Sequence, residues 1–335
     1  MRILHIFFYL IVFIFLSCEI DSKMNSITGY ALGTSYQINY QELNINKEEI
    51  RRDIDSLFNV INSSISTYKS DSDINKINFS NVNVIVDNHF VRIFKKVSEI
   101  WKETNGYFDP TIGSLVNAYG FGPKKGLNNI SIHQKDSIQK LIGWDKITLT
   151  KENKILKKNN NIIIDFNAIG KGYMVDLIDQ YLINLGSNNH LVEIGGEIIG
   201  RGKNLKSNKY WNVAIEKPSN KNHRSIISIV EIKNNAIATS GNYRKYRIDS
   251  LSGKKYVHII NPKTGDSIKS NILSATVITS DCMSADAYAT ALMVMTLEEG
   301  INFVEENKEI EAYWIIFESD RFKEVYSKGW GEKIN

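Results

Sequence analysis

The stretch Asn161–Asp179 reads NIIIDFNAIGKGYMVDLID. Ile162, Ile163 and Ile164 form a β-branched apolar run, which predicts a buried strand. Tyr173, Leu177, Ile178 and Leu182 then recur at helical spacing. Asp165, Lys171, Gly170 and Gly172 lie between, so a strand passes through a charged turn into a helix. The first N–H groups of a helix are unpaired and its N-terminus is partially positive, so this turn is expected to hold an anion such as a phosphate. Gly170-Lys171-Gly172 lacks the G-x-x-x-x-G-K-[ST] spacing of a P-loop, and on local pattern alone a solvated lysine fits equally well.

Working outward, Ile50, Ile54, Leu57, Phe58 and Ile61 predict a helix over Lys47–Ile65. Phe90, Ile93, Phe94, Val97, Ile100 and Trp101 predict another over Phe90–Thr104, stopped by Asn105-Gly106. Ser284–Thr296 reads as a strongly apolar helix, with shorter ones over Ile130–Ile142 and Leu297–Asn307. Gly29–Tyr40 alternates as a strand with a bulge or ligand approach at Gly33-Thr34, and His190–Gly200 as a strand with a Gly-Gly break. Lys146–Asp165 reads as three short strands. Further strands fall at Trp211–Glu216, Ser225–Ile232, Ala236–Ser240, Tyr256–Ile260, Leu273–Thr279, Ala312–Phe317 and Phe322–Tyr326. Strands outnumber helices and run in groups, which predicts an α+β fold with largely antiparallel sheets and several long helices.

The chain has 335 residues with 42% hydrophobic content, enough for a sizeable core. Its 41 Lys and Arg against 37 Asp and Glu leave a net charge of +4 and no long basic run, which disfavours nucleic acid as a partner. Two distant cysteines, Cys18 and Cys282, rule out a disulfide framework. Arg2 and the apolar run Ile6–Leu16 fit a secretory signal and are too short for a comfortable membrane span. Phe15-Leu16-Ser17-Cys18 resembles a bacterial lipobox, with Phe15 where Leu is usual and Leu16 where a small residue is usual. The expectation is a lipoprotein leader over residues 1–18 with lipidated Cys18, a tether over 19–25, and a single domain over 26–335. This body would be membrane-anchored in the bacterial cell envelope, outside the cytoplasm and on the periplasmic side. An ordinary signal peptide or signal anchor is the alternative.

Asp286 and Thr290 stand at i and i+4 in an alanine-rich helix, so their oxygens share one face. A carboxylate there is costly to bury unless paired or bound to a cation, and Asp plus a hydroxyl suits Mg²⁺. The alternative is a helix cap or an exposed start. Tyr68, in the polar loop Ser66–Asp73, is either surface or a stacking platform for a flat ring. Leu115–Pro123 is dense in glycine and aromatics, either a loop tucked into the core or a wall against a ligand. His258 lies in a strand before Asn261-Pro262-Lys263-Thr264-Gly265, as a structural residue or a base. No Ser/His/Asp triad or zinc spacing stands out.

Taken together and in order, these motifs resemble the ApbE-type FAD:protein FMN transferases. The pieces are Gly33-Thr34, Ser66-Thr67-Tyr68 with Asp71-Ser72, Gly106–Gly113, Tyr119-Gly120-Phe121-Gly122, Asp165–Tyr173, Glu193–Gly196, Ala238–Tyr243, His258–Gly265 and Ala285–Thr290. The resemblance implies Mg²⁺-dependent transfer of the FMN moiety of FAD to a Ser or Thr hydroxyl of an extracytoplasmic acceptor flavoprotein, releasing AMP. An FAD pyrophosphatase and a non-enzymatic flavin-binding lipoprotein are the competing readings. It further implies metal ligation by Asp286, Thr290 and the Ala168 carbonyl, FAD contacts from Leu32, Tyr68, Tyr119, Gly120, Phe121, Asp165 and Lys171, and deprotonation of the acceptor hydroxyl by His258. Three positions depart from the family pattern: Leu32 where Met is frequent, Tyr119 where Trp is frequent, and Asn261 where Asp is usual. The last keeps the turn and removes a charge beside His258.

Overall fold

In the computed structural model, the described residues are 24–80, 84–124, 126–127, 130–218, 225–242, 246–248 and 255–333. The leader expected over residues 1–18, with Cys18, falls outside them. Strands β1 (Met24–Ala31) and β2 (Thr34–Gln41) lead into helices α1 (Lys47–Ile65), α2 (Asp73–Phe79), α3 (Asn88–Glu103), α4 (Gly113–Ala118) and α5 (Ile132–Gln139). Strands β3 (Ile147–Leu149) and β4 (Ile155–Lys157) precede helix α6 (Gly170–Asn184). Then come β5 (His190–Ile194), β6 (Glu197–Arg201), β7 (Trp211–Glu216), β8 (Ile226–Ile232), β9 (Ala236–Gly241), β10 (Tyr246–Ile248), β11 (Lys255–Val257) and β12 (Ile272–Thr279). Helices α7 (Cys282–Val294) and α8 (Leu297–Glu306) and strands β13 (Glu311–Glu318) and β14 (Arg321–Tyr326) follow.

Eight strands form one antiparallel sheet in the order β1-β2-β5-β6-β9-β12-β13-β14. This is the α+β architecture read from the strand and helix pattern. Alternation along each strand sends side chains to opposite faces. On one face Ile38, Val192, Val277 and Trp314 join Ile54, Ile93, Ile178 and Leu292 from α1, α3, α6 and α7 in the main core. On the other face Ile198, Ile237, Tyr313 and Ile315 meet Trp211, Val213 and Val230 of the β7–β8 ribbon. No helix among the described residues is long and apolar enough to cross a membrane.

Several expected elements differ. The strand expected over Gly29–Tyr40 is the β1–β2 hairpin, turned by Leu32 (φ 51°) and Gly33 (φ 76°). Consecutive left-handed residues suit a tight hairpin turn because their twist matches that of the strands. His190–Gly200 folds likewise as the β5–β6 hairpin, turned by Gly195 (φ 64°) and Gly196 (φ 101°). Met24 and Asn25, read as tether, belong to β1.

Ile162 and Ile164 are buried as expected, but Ile163 is only half-buried and the run enters no sheet; Ile163 makes an isolated bridge to Ile112. The Asn78 side chain supplies what a neighbouring strand would. Its Nδ2 donates to Ile164 O and its Oδ1 accepts from Ile164 N, both at 2.8 Å. Helices α2 and α4, not expected from the pattern, are too short to show a period.

Helices α6 and α7 set the centre of the molecule. A Cβ on Gly172 would lie 2.2 Å from Cys282 O, so only glycine allows this approach. One turn later on α6, Asp176 accepts from the backbone N–H groups of Cys282 at 2.7 Å and Met283 at 2.8 Å. A carboxylate on the first N–H groups of a helix is stabilised by the helix dipole and satisfies orphan donors. Helix α6 thereby fixes where α7 begins, and with it the position of Asp286.

Candidate active site

A cleft of about 1080 Å³ opens against the start of α6. The tips of both hairpins line it through Leu32, Gly33, Gly195 and Gly196, and they are tied together by Gly195 N donating to Ser35 O at 3.1 Å. Its walls also include Tyr68, Phe121, Asp165, His258 and part of β7. This size and mixed lining suit a ligand with flat rings and charged groups.

Tyr68 is 68% exposed, yet the loop that presents it is braced from beneath. The buried Asn75 donates through Nδ2 to Thr67 O at 3.0 Å and to Lys69 O at 2.8 Å. Ser72 Oγ donates to Ser66 O at 2.7 Å. The ring is therefore held out as a platform on a fixed backbone. Elsewhere in the lining, Phe121 meets His258 edge-on with ring centroids 6.2 Å apart.

Asp165 reaches the cleft from the end of the Ile162–Ile164 segment. Its N–H donates to Pro110 O at 2.8 Å, and its Oδ1 accepts from Asn167 N at 2.8 Å. Burial raises its pKa, with the Asn167 bonds opposing. The Gly106–Gly113 segment carrying Pro110 is itself anchored by buried Asp109. That carboxylate accepts from Trp101 Nε1, Trp144 N, Thr111 N and Thr111 Oγ1.

The charged centre lies at the head of α6. Lys171 Nζ stands 2.9 Å from Glu197 Oε1 and 3.6 Å from Asp286 Oδ2. Asp286 is 3% exposed, and its Oδ2 also accepts from Gly172 N at 3.1 Å. The helix-terminal N–H group expected for a phosphate thus serves a protein carboxylate. Burial opposes the Lys171 ammonium, but Asp286 and Glu197 outweigh it and hold its pKa above the ordinary lysine range. Burial pushes Glu197 up to about 7, with Lys171 acting against the shift and Asp286 with it.

Asp286 and Thr290 face the cleft one turn apart on α7, and Thr290 Oγ1 is 3.1 Å from Ser240 Oγ of β9. Ala168 lines the same cleft. These are hard oxygen donors, and because Asp286 and the neighbouring Glu197 share the single Lys171 ammonium, the charge balance accommodates a cation. Among the described residues no group of three or more His, Cys, Asp or Glu could hold a metal alone. A cation here would draw remaining ligands from phosphate and water, which is the habit of magnesium.

Of the residues anticipated from sequence, Leu32, Tyr68, Phe121, Asp165, Ala168, Lys171, His258, Asp286 and Thr290 line one cleft. Tyr119 and Gly120 do not line it. Tyr119 is buried against Leu115, Ile142 and Ile260, and its hydroxyl donates to Gly265 O at 3.0 Å. It supports the wall from behind because its ring completes a local apolar cluster. Asn261 Oδ1 accepts from Lys263 N at 2.8 Å, a bond that an Asp carboxylate would accept equally, so the departure leaves the turn intact. Glu197, which also lines the cleft, is not among the residues expected from sequence. Its signal is an acid directly after Gly195-Gly196 and before the apolar Ile198-Ile199.

Comparison with known proteins gives a consistent result. The model of the ApbE family matches residues 32–314. An FAD:protein FMN transferase of Vibrio cholerae is 36% identical over 92% of this chain and 92% of its own length. One of Haemophilus influenzae is 33% identical over 90% of this chain and 88% of its own. Among solved structures, the flavin transferase ApbE from Vibrio cholerae superposes with a TM-score of 0.83 at 32% identity, covering 93% of this chain and 99% of that one. The Pseudomonas stutzeri flavinyl transferase ApbE, apo form, also gives 0.83, at 29% identity, over 93% and 97% of the two chains.

Proposed function

The chain belongs to the ApbE family, and from that premise we propose that it is an FAD:protein FMN transferase, moving the FMN moiety of FAD onto a Ser or Thr hydroxyl of an acceptor protein and releasing AMP. The observation that carries the reading is that Lys171, Asp286 and Thr290 line the same cleft as Tyr68 and Phe121, with Lys171 beside Asp286. Asp286, Thr290 and the Ala168 carbonyl are the residues that would hold Mg²⁺. Bound there, the ion would neutralise pyrophosphate charge.

The residues divide the remaining work. Tyr68 offers a face on which a ring of FAD stacks. Lys171 brings a persistent positive charge to the pyrophosphate. The acceptor hydroxyl oxygen forms a new bond to the phosphorus of the FMN phosphate, the bond from that phosphorus to the AMP oxygen breaks, and His258 takes the hydroxyl proton. A neutral imidazole has suitable strength for this near neutral pH. We infer also that Cys18 anchors the body to a membrane outside the cytoplasm, on the strength of the sequence Met1–Cys18.

The test is incubation with FAD, Mg²⁺ and an acceptor protein bearing the target Ser or Thr. Flavin fluorescence on the denatured acceptor, with AMP released in equal amount, is expected. AMP with free FMN and an unlabelled acceptor would move the reading to FAD hydrolysis. FAD recovered intact would overturn both.

A further inference from the structure

Glu197 is a buried acid in the cleft for which the transfer chemistry has no direct use. It begins β6 after the Gly195–Gly196 turn, and its residue is 4% exposed. One oxygen, Oε1, takes the Lys171 ammonium at 2.9 Å. The other, Oε2, is buried with no hydrogen-bond partner among the described residues. An acid in this state carries a desolvation cost that an apolar side chain of similar size would avoid.

The cost has a counterpart next door. A lysine ammonium is a compact charge on a flexible stem and closes on a lone buried carboxylate to full hydrogen-bonding distance. Lys171 instead stays 3.6 Å from Asp286 while it contacts Glu197. An ammonium seated on Asp286 would compete with any metal for the same oxygens. We propose that Glu197 is a positioning residue that holds Lys171 off Asp286, leaving that carboxylate open to the divalent cation and the ammonium turned to the cleft. This rests on Asp286 being a metal ligand. In this role Glu197 acts through Lys171.

Two readouts test it on the full chain, and neither requires turnover. The first is the position of Lys171 Nζ in metal-free crystals of Glu197→Gln, which preserves shape, and of Glu197→Ala. The second is Mn²⁺ binding, followed by electron paramagnetic resonance. In both variants Lys171 is expected to close to hydrogen-bonding distance from Asp286, and Mn²⁺ binding to weaken by about tenfold, the scale of one charge-assisted hydrogen bond. Adding Lys171→Met should restore the binding. Weaker binding with Lys171 unmoved reflects lost charge alone and overturns the positioning role, as does unchanged binding with Lys171 unmoved. If the wild type takes up no Mn²⁺ while Lys171 still relocates in the variants, the metal reading of Asp286 fails and the hold of Glu197 on Lys171 stands.

Discussion

Helix α6 carries two buried charged clusters, one at its start and one further along, and they are matched to very different degrees. In the second, Asp179 is saturated. It accepts from Arg201 through Nε and Nη2, at 3.0 and 2.8 Å, and pairs with His190 Nε2 at 2.8 Å. His190 is completed by Ser187 Oγ at 3.0 Å. None of these groups faces the cleft. In the first, Lys171 is shared by Glu197 and Asp286, and Glu197 Oε2 is left over. A closed network ties β5 and β6 to α6. An open one, in the lining of a cleft, has capacity for a ligand. Burial of charge alone does not separate structure from function; the completeness of its partnering does.

The largest expected effect lies in the open cluster. Asp286→Ala should lower the rate of FMN transfer by about 10²–10³-fold, the scale of losing one electrostatic support of a transition state, with little loss of thermal stability. A variant as active as the wild type would refute the metal assignment. In the closed cluster the expectation reverses. Asp179→Asn leaves Arg201 and His190 poorly matched and should cost about 3 kcal/mol of stability, read by urea unfolding, while FAD affinity stays the same. Loss of FAD binding in a still-folded Asp179→Asn protein would break the division between the clusters.

Acidity sharpens it further. Burial tends to raise the Asp179 pKa, but the His190 and Arg201 hydrogen bonds outweigh it and the folded value is depressed. A depressed carboxyl contributes stability that is fully present above its unfolded value of about 3.9 and is lost as pH falls through the folded value. The stability gap between wild type and Asp179→Asn should therefore shrink below about pH 4; a gap that widened in acid would reverse the sign of the linkage. The smallest effect belongs to Asn261→Asp. Its side chain serves its own turn by accepting from Lys263 N, so stability should change by less than about 0.5 kcal/mol. Transfer should stay within about twofold of wild type in a steady-state assay.

Helices α1 and α3 were legible because each buries one face, and apolar spacing is a direct record of a buried stripe. Asp286 and Thr290 were legible as a pair because helical periodicity puts them on one face. The two hairpins were harder. Leu32-Gly33 and Gly195-Gly196 carry backbone twists that alternation does not report, so each hairpin reads as a single strand. Ile162–Ile164 reads as a strand because apolar runs record burial and say nothing of what pairs with the backbone; at Ile164 the Asn78 side chain does, as donor and acceptor.

The α+β class, the main helices, the family and most of the cleft residues are legible in the chain's sequence, because these follow from local periodicity and short motifs in a fixed order. Tertiary structure alone decided which charges meet. Lys171, Glu197 and Asp286 come from α6, β6 and α7, and their contact depends on Gly172 admitting Cys282 O and on Asp176 seating the first N–H groups of α7. It also decided that Tyr119 braces a wall and that the helix-terminal N–H of Gly172 serves Asp286. Coulombic interaction depends on distance in space and on burial, and neither is written in the spacing of residues along a chain.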